Sequence, residues 1–433
     1  MNRRRFACIA GLILILAFAL RLGGAVGWQR FVDTRGSAPF FFGDSDSYWQ
    51  LGRALAAGAP YEHDPVRHWK VFRMPGYPLL LAPLFLVWNE PPVLAARLEN
   101  VLLGVLTVFL TGLLARALFR SRRVTLLAMF LAASLPELVF QSAGVLSEEL
   151  FCAANLALIL AMIKWVQSRL SVRWGVGIGL FWALTVYVRP DALLWPPFAA
   201  LAALLLRDTR AVAAARARSA AYGVFAAVFV FAVLMSPWWV RNARLTGHFV
   251  PATLQIGASL YDGLSPAADG GSEMSFVDEF RRRTEPNADG ECDEFLLDRS
   301  MKTAALGWAK ENPVQVLRLA GIKFIRLWNI FPNEPAFSGL PAKLVISLTF
   351  FPLLLFALCG AWQFRRYPIT CLLWFPAVYV TLLHMIFVAS LRYRAPILPQ
   401  LAVLAAAALV QLCSSSADSD SFKAGAAATR DDC

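Results

Sequence analysis

The sequence predicts an all-α polytopic membrane protein, and three observations carry that prediction. Hydrophobic residues make up 58% of the 433-residue chain and charged ones only 16%, against roughly 45–50% and about 25% in soluble domains. The apolar residues gather in runs long enough to cross a bilayer, which takes about 20 residues of helix. The basic residues cluster between those runs instead of along one face. A single soluble core cannot use that much apolar surface, because folding domains stop growing near about 250–300 residues. Disorder, collagen and coiled coil fail on the same composition.

Ten runs qualify as spans: residues 6–27, 93–117, 124–141, 147–166, 173–189, 191–207, 219–238, 341–362, 369–390 and 395–413. Arg189-Pro190-Asp191 interrupts the fifth and sixth, and marks a turn at the membrane surface or a buried polar site. Basic residues orient the spans, because short cytoplasmic loops carry an excess of Lys and Arg. Arg3–Arg5 precede the first span. Arg120, Arg122 and Arg123 follow the second, and Lys164, Arg169 and Arg173 the fourth. Arg207, Arg210, Arg216 and Arg218 follow the sixth, and Arg365 and Arg366 the eighth. With ten spans all five clusters share one side, so that side is cytoplasmic and both termini lie on it. The net charge of +12 is then mainly topology, not a nucleic-acid footprint. The first run resembles a signal peptide in its flank, but it exceeds a 7–15-residue core and no A-x-A-like site closes it. It reads as a retained span.

The expected organisation is one transmembrane domain, 1–413, with two long outer loops, about 28–92 and about 239–340, and a disordered cytoplasmic tail, 414–433. Of seven cysteines only Cys292 falls in an outer loop, so no disulfide framework is present.

The chemistry-bearing residues gather on the outer side. Asp44 and Asp46 precede Tyr48–Leu55, whose apolar residues have helical spacing. An amphipathic helix there would hold an acidic pair where lipid headgroups meet water. The plainer reading is that Asp44 N-caps the helix. Asp-x-Asp also marks metal-dependent enzymes that use nucleotide sugars, but those need a soluble nucleotide-binding domain and none fits here. Arg392-Tyr393-Arg394 closes the ninth span against the positive-inside trend. Guanidinium forks match phosphate oxygens, and interfacial snorkelling is the alternative. Glu148 and Glu149 open the fourth span. Ionisable groups at membrane depth pair or line a site, and for Arg189 and Asp191 an ion pair knitting helices together is the better reading. His63 and His68 share a loop with acids, which leaves room for a divalent cation without marking a site for one. No HExxH, P-loop, GxSxG or GxGxxG occurs, so zinc-protease, ATPase, hydrolase and dinucleotide chemistry have no support.

Several of these pieces occur in a recognisable order. Asp44 to Tyr48 forms Asp-x-x-x-Tyr, and Arg73 to Pro78 reads Arg-Met-Pro-Gly-Tyr-Pro. Ala96-Arg97-Leu98, Ser147-Glu148 and Val188-Arg189-Pro190-Asp191 follow. Next come Ser236-Pro237-Trp238-Trp239-Val240-Arg241-Asn242 and Gly247-His248-Phe249-Val250-Pro251. Glu311-Asn312-Pro313, Arg326-Leu327-Trp328 and Arg392-Tyr393-Arg394-Ala395-Pro396 complete the set. Over residues 1 to about 412 the set resembles the bacterial branch of the dolichyl-phosphate-mannose–protein mannosyltransferase family, which has the GT-C fold and is similar to the lipid A aminoarabinose transferases.

The resemblance implies a glycosyltransferase of the bacterial inner membrane that takes a sugar from a polyprenyl-phosphate carrier on the outer face. The acid of the first outer loop is catalytic in such families; here that is Asp44, with Asp46 as second choice. Ser45 replaces the Glu of a common Asp-Glu pair. Asp44 would act as general base in an inverting transfer to a lipid, glycan or protein hydroxyl. Arg392 and Arg394, with Tyr393 between and Arg73 behind, would hold the phosphate. Tyr48, Glu148, Arg189 and Asp191 would support the site. A small lipid or glycan acceptor is favoured over a folded protein, no cofactor is implied with certainty, and membrane lipids surround the chain. The runner-up is a polytopic transporter or lipid flippase, which would place its polar site nearer the bilayer midplane.

Overall fold

A computed structural model describes residues 1–34, 40, 42–205, 214–286, 290–333 and 339–413. Among them regular structure is helical, with isolated antiparallel bridges His63–Trp69 and Pro286–Cys292. The expected tail, 414–433, and the end of the sixth expected span lie outside the described residues.

Each of the ten apolar runs has a helical counterpart. These are α1 (Arg3–Thr34), α4 (Val93–Phe119), the pair α5 (Arg122–Ser134) and α6 (Pro136–Ala143), α7 (Glu148–Gln167), α8 (Val172–Val188), α9 (Trp195–Leu205), α10 (Ala214–Thr246), α15 (Leu340–Gln363), α16 (Cys371–Ile386) and α17 (Leu398–Leu412). Among the described residues seven stretches are long and apolar enough to cross a membrane by themselves. They are α1, α4, α7, the Arg218–Thr246 part of α10, α15, Pro368–Ile386 and Leu391–Leu412. α8, at 17 residues, and α9 are shorter. Short 3-10 segments, Pro190–Leu194 and Leu391–Ile397, lead into α9 and α17.

The third expected span is not one helix. α5 and α6 meet at 53°. Pro136 has no N–H to give and pushes the residue before it out of the helical region, and Leu135 sits at φ −67°, ψ 118°. The carbonyls freed at the break are met by Arg21, fully buried in α1, which donates to Ala132 O at 3.0 Å and Ala133 O at 3.1 Å. Room for that guanidinium comes from Gly104 of α4, where a Cβ would lie 2.5 Å from Arg21 Nε. An arginine in the middle of the first span thus caps a broken helix in the third.

The two long connections pack on each other. The first carries α2 (Gly43–Ala56) and α3 (Gly76–Val87); the second carries α11 (Ile256–Gly263), α12 (Val277–Arg283), α13 (Glu294–Glu311) and α14 (Pro313–Trp328). Arg67 forks onto Asp278 at 3.0 and 2.8 Å, Lys70 meets Glu291 at 2.5 Å, and Leu254 N reaches Val71 O at 3.0 Å. The Trp238-Trp239-Val240-Arg241-Asn242 motif explains itself here. Trp238 Nε1, Trp239 Nε1 and Asn242 Nδ2 donate to backbone carbonyls at 250–252, while Arg241 donates to Tyr61 O and Lys70 O. Those residues fasten both connections to the end of α10.

A second fastener is Lys323. It is fully buried, and its Nζ donates to Gly263 O at 2.8 Å and Ile386 O at 2.6 Å, the last carbonyls of α11 and α16. A cation suits two helix C-termini. Its place in α14 ties the second connection to the loop that carries Arg392.

Candidate active site

Asp44 stands in the first turn of α2, and its side chain caps nothing: Phe42 holds the cap position, with no side-chain bond to the helix. The capping reading therefore fails. The carboxylate instead accepts from Arg73 Nη2 at 2.6 Å and from Arg392 Nη2 at 2.7 Å. Burial works against its charge, and the guanidiniums of Arg73 and Arg392 outweigh burial, holding the carboxyl well below the usual carboxylate range.

Local sequence explains how both arginines arrive. Pro75 and Gly76 start α3 against the end of α8. A Cβ on Gly76 would lie 2.6 Å from Tyr187 O, so only glycine allows that approach. Arg73, two residues upstream of Pro75, is then held between the rings of Phe72 and Tyr48, 5.2 and 5.4 Å from their centroids. Tyr48 is itself fixed by Tyr77 edge-on at 5.2 Å and by a 3.3 Å bond from its hydroxyl to Ser147 Oγ. Arg392 rides on the 3-10 turn before α17, over the rings of Phe42 and Tyr393.

The network continues beyond Asp44. Arg392 Nε reaches Glu148 Oε1 at 3.1 Å, Arg189 Nη1 reaches the same oxygen at 3.3 Å, and Arg189 Nη2 meets Asp191 Oδ2 at 3.1 Å. Arg73, Asp44, Arg392, Glu148, Arg189 and Asp191 thus form a chain of alternating sign, with three guanidiniums matched by three carboxylates. The ring of Tyr393 stacks on His384 at 4.5 Å, and the guanidiniums of Arg189 and Arg392 lie 5.5 and 5.3 Å from its centroid. The expected Arg189–Asp191 pair is present, and it is part of this chain. Glu149 points elsewhere: it accepts from Ser142 at 2.5 Å within the helix bundle.

All six members of the chain line one cavity of about 1350 Å3. Asp46 lines it as well and accepts from Gln50 at 2.6 Å without touching an arginine. One wall is apolar, with Leu194, Ala342, Val345, Ile346 and Leu383. Other lining residues come from the two long connections, among them His63, Trp69, Phe72, Thr253 and Gln255. Glu148 Oε2 and Asp191 Oδ1 are buried and find no hydrogen-bond partner among the described residues.

Arg394 departs from its expected place. It is fully buried against Glu137, donates to Leu327 O at 3.1 Å and Asn329 O at 2.6 Å, and sits over the Phe350 ring. The 3-10 turn, with three residues per turn, points Arg392 and Arg394 about 120° apart, so Arg392 reaches the cavity and Arg394 knits α6 and α14 together. Sequence reasoning missed Gln255, which accepts from Arg73 Nη1 at 3.4 Å, and His384; no motif flags either. Among the described residues no group of three or more His, Cys, Asp or Glu side chains is arranged to hold a metal ion. His63 and His68 do not converge: His68 faces Glu62 at 3.5 Å, while His63 lines the cavity.

This architecture, with a helical bundle, two long connections packed together and a charged cavity lined by both, is the GT-C fold of membrane glycosyltransferases. It is shown by likeness to solved structures. An archaeal oligosaccharyltransferase, AglB from Archaeoglobus fulgidus, in complex with an inhibitory peptide and a dolichol-phosphate, superposes with a TM-score of 0.58 at 13% identity, over 93% of this chain and 50% of that one. The apo form of the Archaeoglobus fulgidus oligosaccharyltransferase gives 0.55 at 13% identity, over 92% of this chain and 50% of that one. The chain therefore spans about half the length of these oligosaccharyltransferases. No protein-family profile matches the sequence, and no curated protein does.

Proposed function

We propose that this protein is a membrane glycosyltransferase that moves a hexosyl or pentosyl group from a polyprenyl-phosphate carrier to a hydroxyl. Transfer would take place at the outer face of a bacterial inner membrane, with both chain termini cytoplasmic. The observation that carries the reading is Asp44, held between Arg73 and Arg392 in a large cavity that is apolar on one side. That pairing supplies a base for the acceptor and cations for the donor phosphate within one guanidinium of each other. The fold it shares with AglB supports the class, since that enzyme is an oligosaccharyltransferase whose structure is in complex with an inhibitory peptide and a dolichol-phosphate.

A hydroxyl is a poor nucleophile at neutral pH until a positioned carboxylate takes its proton during attack. In the proposed step the acceptor oxygen bonds to the anomeric carbon as the bond from that carbon to the phosphate oxygen breaks. The proton passes to Asp44, and polyprenyl phosphate leaves with the electron pair. Attack opposite the phosphate inverts the carbon. A glycosidase uses a second carboxyl to protonate its leaving oxygen. Phosphate leaves readily, so charge-assisted contacts from Arg392 and Arg73 replace that acid. The apolar lining from the Pro190–Leu194 turn, α15 and α16 takes the prenyl chain.

Pairing with two guanidiniums makes resting Asp44 a weak base. An incoming phosphate competes for the same guanidiniums, and each contact it draws away returns basicity to Asp44. Binding of the donor therefore activates the base. Glu148, Arg189 and Asp191 brace Arg392 from the other side, and Tyr393 supports both arginines.

The test is transfer of radiolabelled sugar from polyprenyl-phosphate donors in membranes, comparing wild type with Asp44→Asn and Asp46→Asn at matched expression. Loss with Asp44→Asn alone is expected. Loss with Asp46→Asn alone would move the base by two residues. Absence of transfer from every donor, beside intact lipid translocation, would overturn the reading in favour of a transporter.

A further inference from the structure

The cavity wall made by the two long connections has a different chemistry from the charged chain beside it. His63 and Thr253 are buried to 8% and 3% exposure, both line the cavity, and His63 Nδ1 and Thr253 Oγ1 find no hydrogen-bond partner among the described residues. Burial, with Arg73 nearby, pushes the His63 imidazole down to about 4, so it faces the cavity as a neutral ring with donor and acceptor nitrogens. Gln255 adds an amide on the same wall. Trp69 and Phe72, 4.9 Å apart, supply apolar faces beside them. The charged neighbours are occupied with one another: Arg67 takes Asp278 and Asp64. This wall offers neutral hydrogen-bonding groups set among aromatic rings.

Its position relative to the base is fixed by Arg73. One nitrogen of that guanidinium holds Asp44 at 2.6 Å and the other holds Gln255 at 3.4 Å. A group seated on His63, Thr253 and Gln255 is therefore one guanidinium from the proposed base, in the same cavity as the apolar residues that suit a prenyl chain.

We infer that the His63–Thr253–Gln255 wall is the acceptor subsite and that it takes a neutral sugar ring, so that the acceptor is a glycan or glycolipid hydroxyl. A sugar ring presents hydroxyls around its edge and C–H groups on its faces, which matches polar side chains interleaved with aromatic ones. Of the cations that line the cavity from the two connections, Arg67 and Arg73 are held by carboxylates, and Arg326, whose Nε donates to Ala389 O at 3.5 Å, is the one an anionic headgroup would have to reach. This inference rests on the glycosyltransferase reading and identifies the substrate class of the same site.

Donor consumed without acceptor goes to water, so each turnover partitions between transfer and hydrolysis, and that ratio reports the acceptor subsite. The experiment uses full-length protein in nanodiscs with any polyprenyl-phosphate sugar that wild type consumes. Methyl glycosides and a short Ser/Thr peptide serve as acceptor probes. The variants are His63→Phe and Thr253→Val, which preserve shape and remove the hydrogen-bonding atoms. Wild type is expected to glycosylate at least one methyl glycoside and not the peptide. Both variants are expected to shift the partition toward hydrolysis by about tenfold or more, since a site built to hydrogen-bond a hydroxyl loses strongly when one partner is removed. Continued donor consumption shows that the variants are folded. Hydrolysis and transfer falling by the same factor would overturn the subsite, as would a preference for the peptide. Failure of wild type to consume any donor would refute the glycosyltransferase reading itself, and the subsite with it.

Discussion

Replacing Asp44 with asparagine should move two quantities in opposite directions. The substituted amide keeps one acceptor oxygen and turns an N–H2 toward whichever of Arg73 and Arg392 the oxygen does not serve, so one guanidinium is released. It also removes a negative charge beside the place where a phosphate would sit. At about 6 Å and an effective dielectric near 20, a carboxylate repels a unit negative charge by about 3 kcal/mol. Discounted by half for partial solvent access, that leaves roughly a tenfold effect, and in full roughly a hundredfold. Polyprenyl phosphate should therefore bind Asp44→Asn about 10–100 times more tightly than wild type, while turnover falls by about 10²–10⁴ as general base catalysis is lost. Affinity is measured by titration of polyprenyl phosphate into protein in nanodiscs, and turnover by radiolabel transfer at matched expression. Unchanged or weaker binding would show that Arg73 and Arg392 are not the phosphate ligands. Turnover within about threefold of wild type would remove Asp44 as the base.

Other residues divide the site from its supports. Arg392→Lys keeps a charge but cannot hold Asp44 and Glu148 at 2.7 and 3.1 Å together; kcat/KM should fall about 10–100-fold, the worth of one charge-assisted bond, and an unaffected rate in the transfer assay would remove the fork from the argument. Arg394→Ala leaves Glu137 buried without its partner and should cost about 3–5 kcal/mol of stability, read as a lower thermal midpoint; full stability with lost transfer would return Arg394 to the site. For His63 the folded imidazole lies near 4 and the unfolded one near its ordinary value of about 6.5, so between those pH values the unfolded chain holds the extra proton. Stability should fall as pH drops from about 6.5 toward 4, by up to ~1.4 kcal/mol per pH unit, and thermal midpoints of His63→Phe should lose that slope.

The bundle is legible because its signal is carried by every residue of a run: about 20 apolar positions outvote any single exception, and each of the ten runs is helical. The break at Pro136 is not, because apolar content continues across it and only the backbone rule for the residue before proline marks it. Arg21 shows the same limit from the other side. It sits in an apolar run 111 residues away from a carbonyl it caps, and no local pattern links an arginine to a partner so distant. Asp44, Arg73, Glu148, Arg189, Asp191 and Arg392 are each recognisable in the sequence as ionisable groups near one side. Their pairing is not, since contacts such as Arg392 to Asp44 join positions 348 apart. Arg394 is misplaced by sequence reasoning because its partners, Glu137, Leu327 and Asn329, are remote in sequence, and residues two apart on a helical turn point in different directions.

The pairing is also what gives the site its chemistry. Six isolated ions in a partly dry cavity would each carry a heavy desolvation penalty; alternated in sign, they offset one another and hold a rigid geometry before any substrate arrives. A balanced chain binds a phosphate only by exchange, one carboxylate contact given up for each phosphate contact made. Such an exchange leaves total ion pairing nearly constant while transferring cationic support from the base to the leaving group. The apolar wall then has to contribute most of the net affinity for the donor, through burial of the prenyl chain at about 25 cal/mol per Å2. A water-soluble sugar phosphate, lacking that chain, would have to break the same ion pairs with no such compensation. Under the proposed function the architecture would therefore select lipid-linked donors energetically, and shortening the prenyl chain should weaken binding steadily at about 0.8 kcal/mol per buried methylene while leaving the proposed proton transfer to Asp44 untouched.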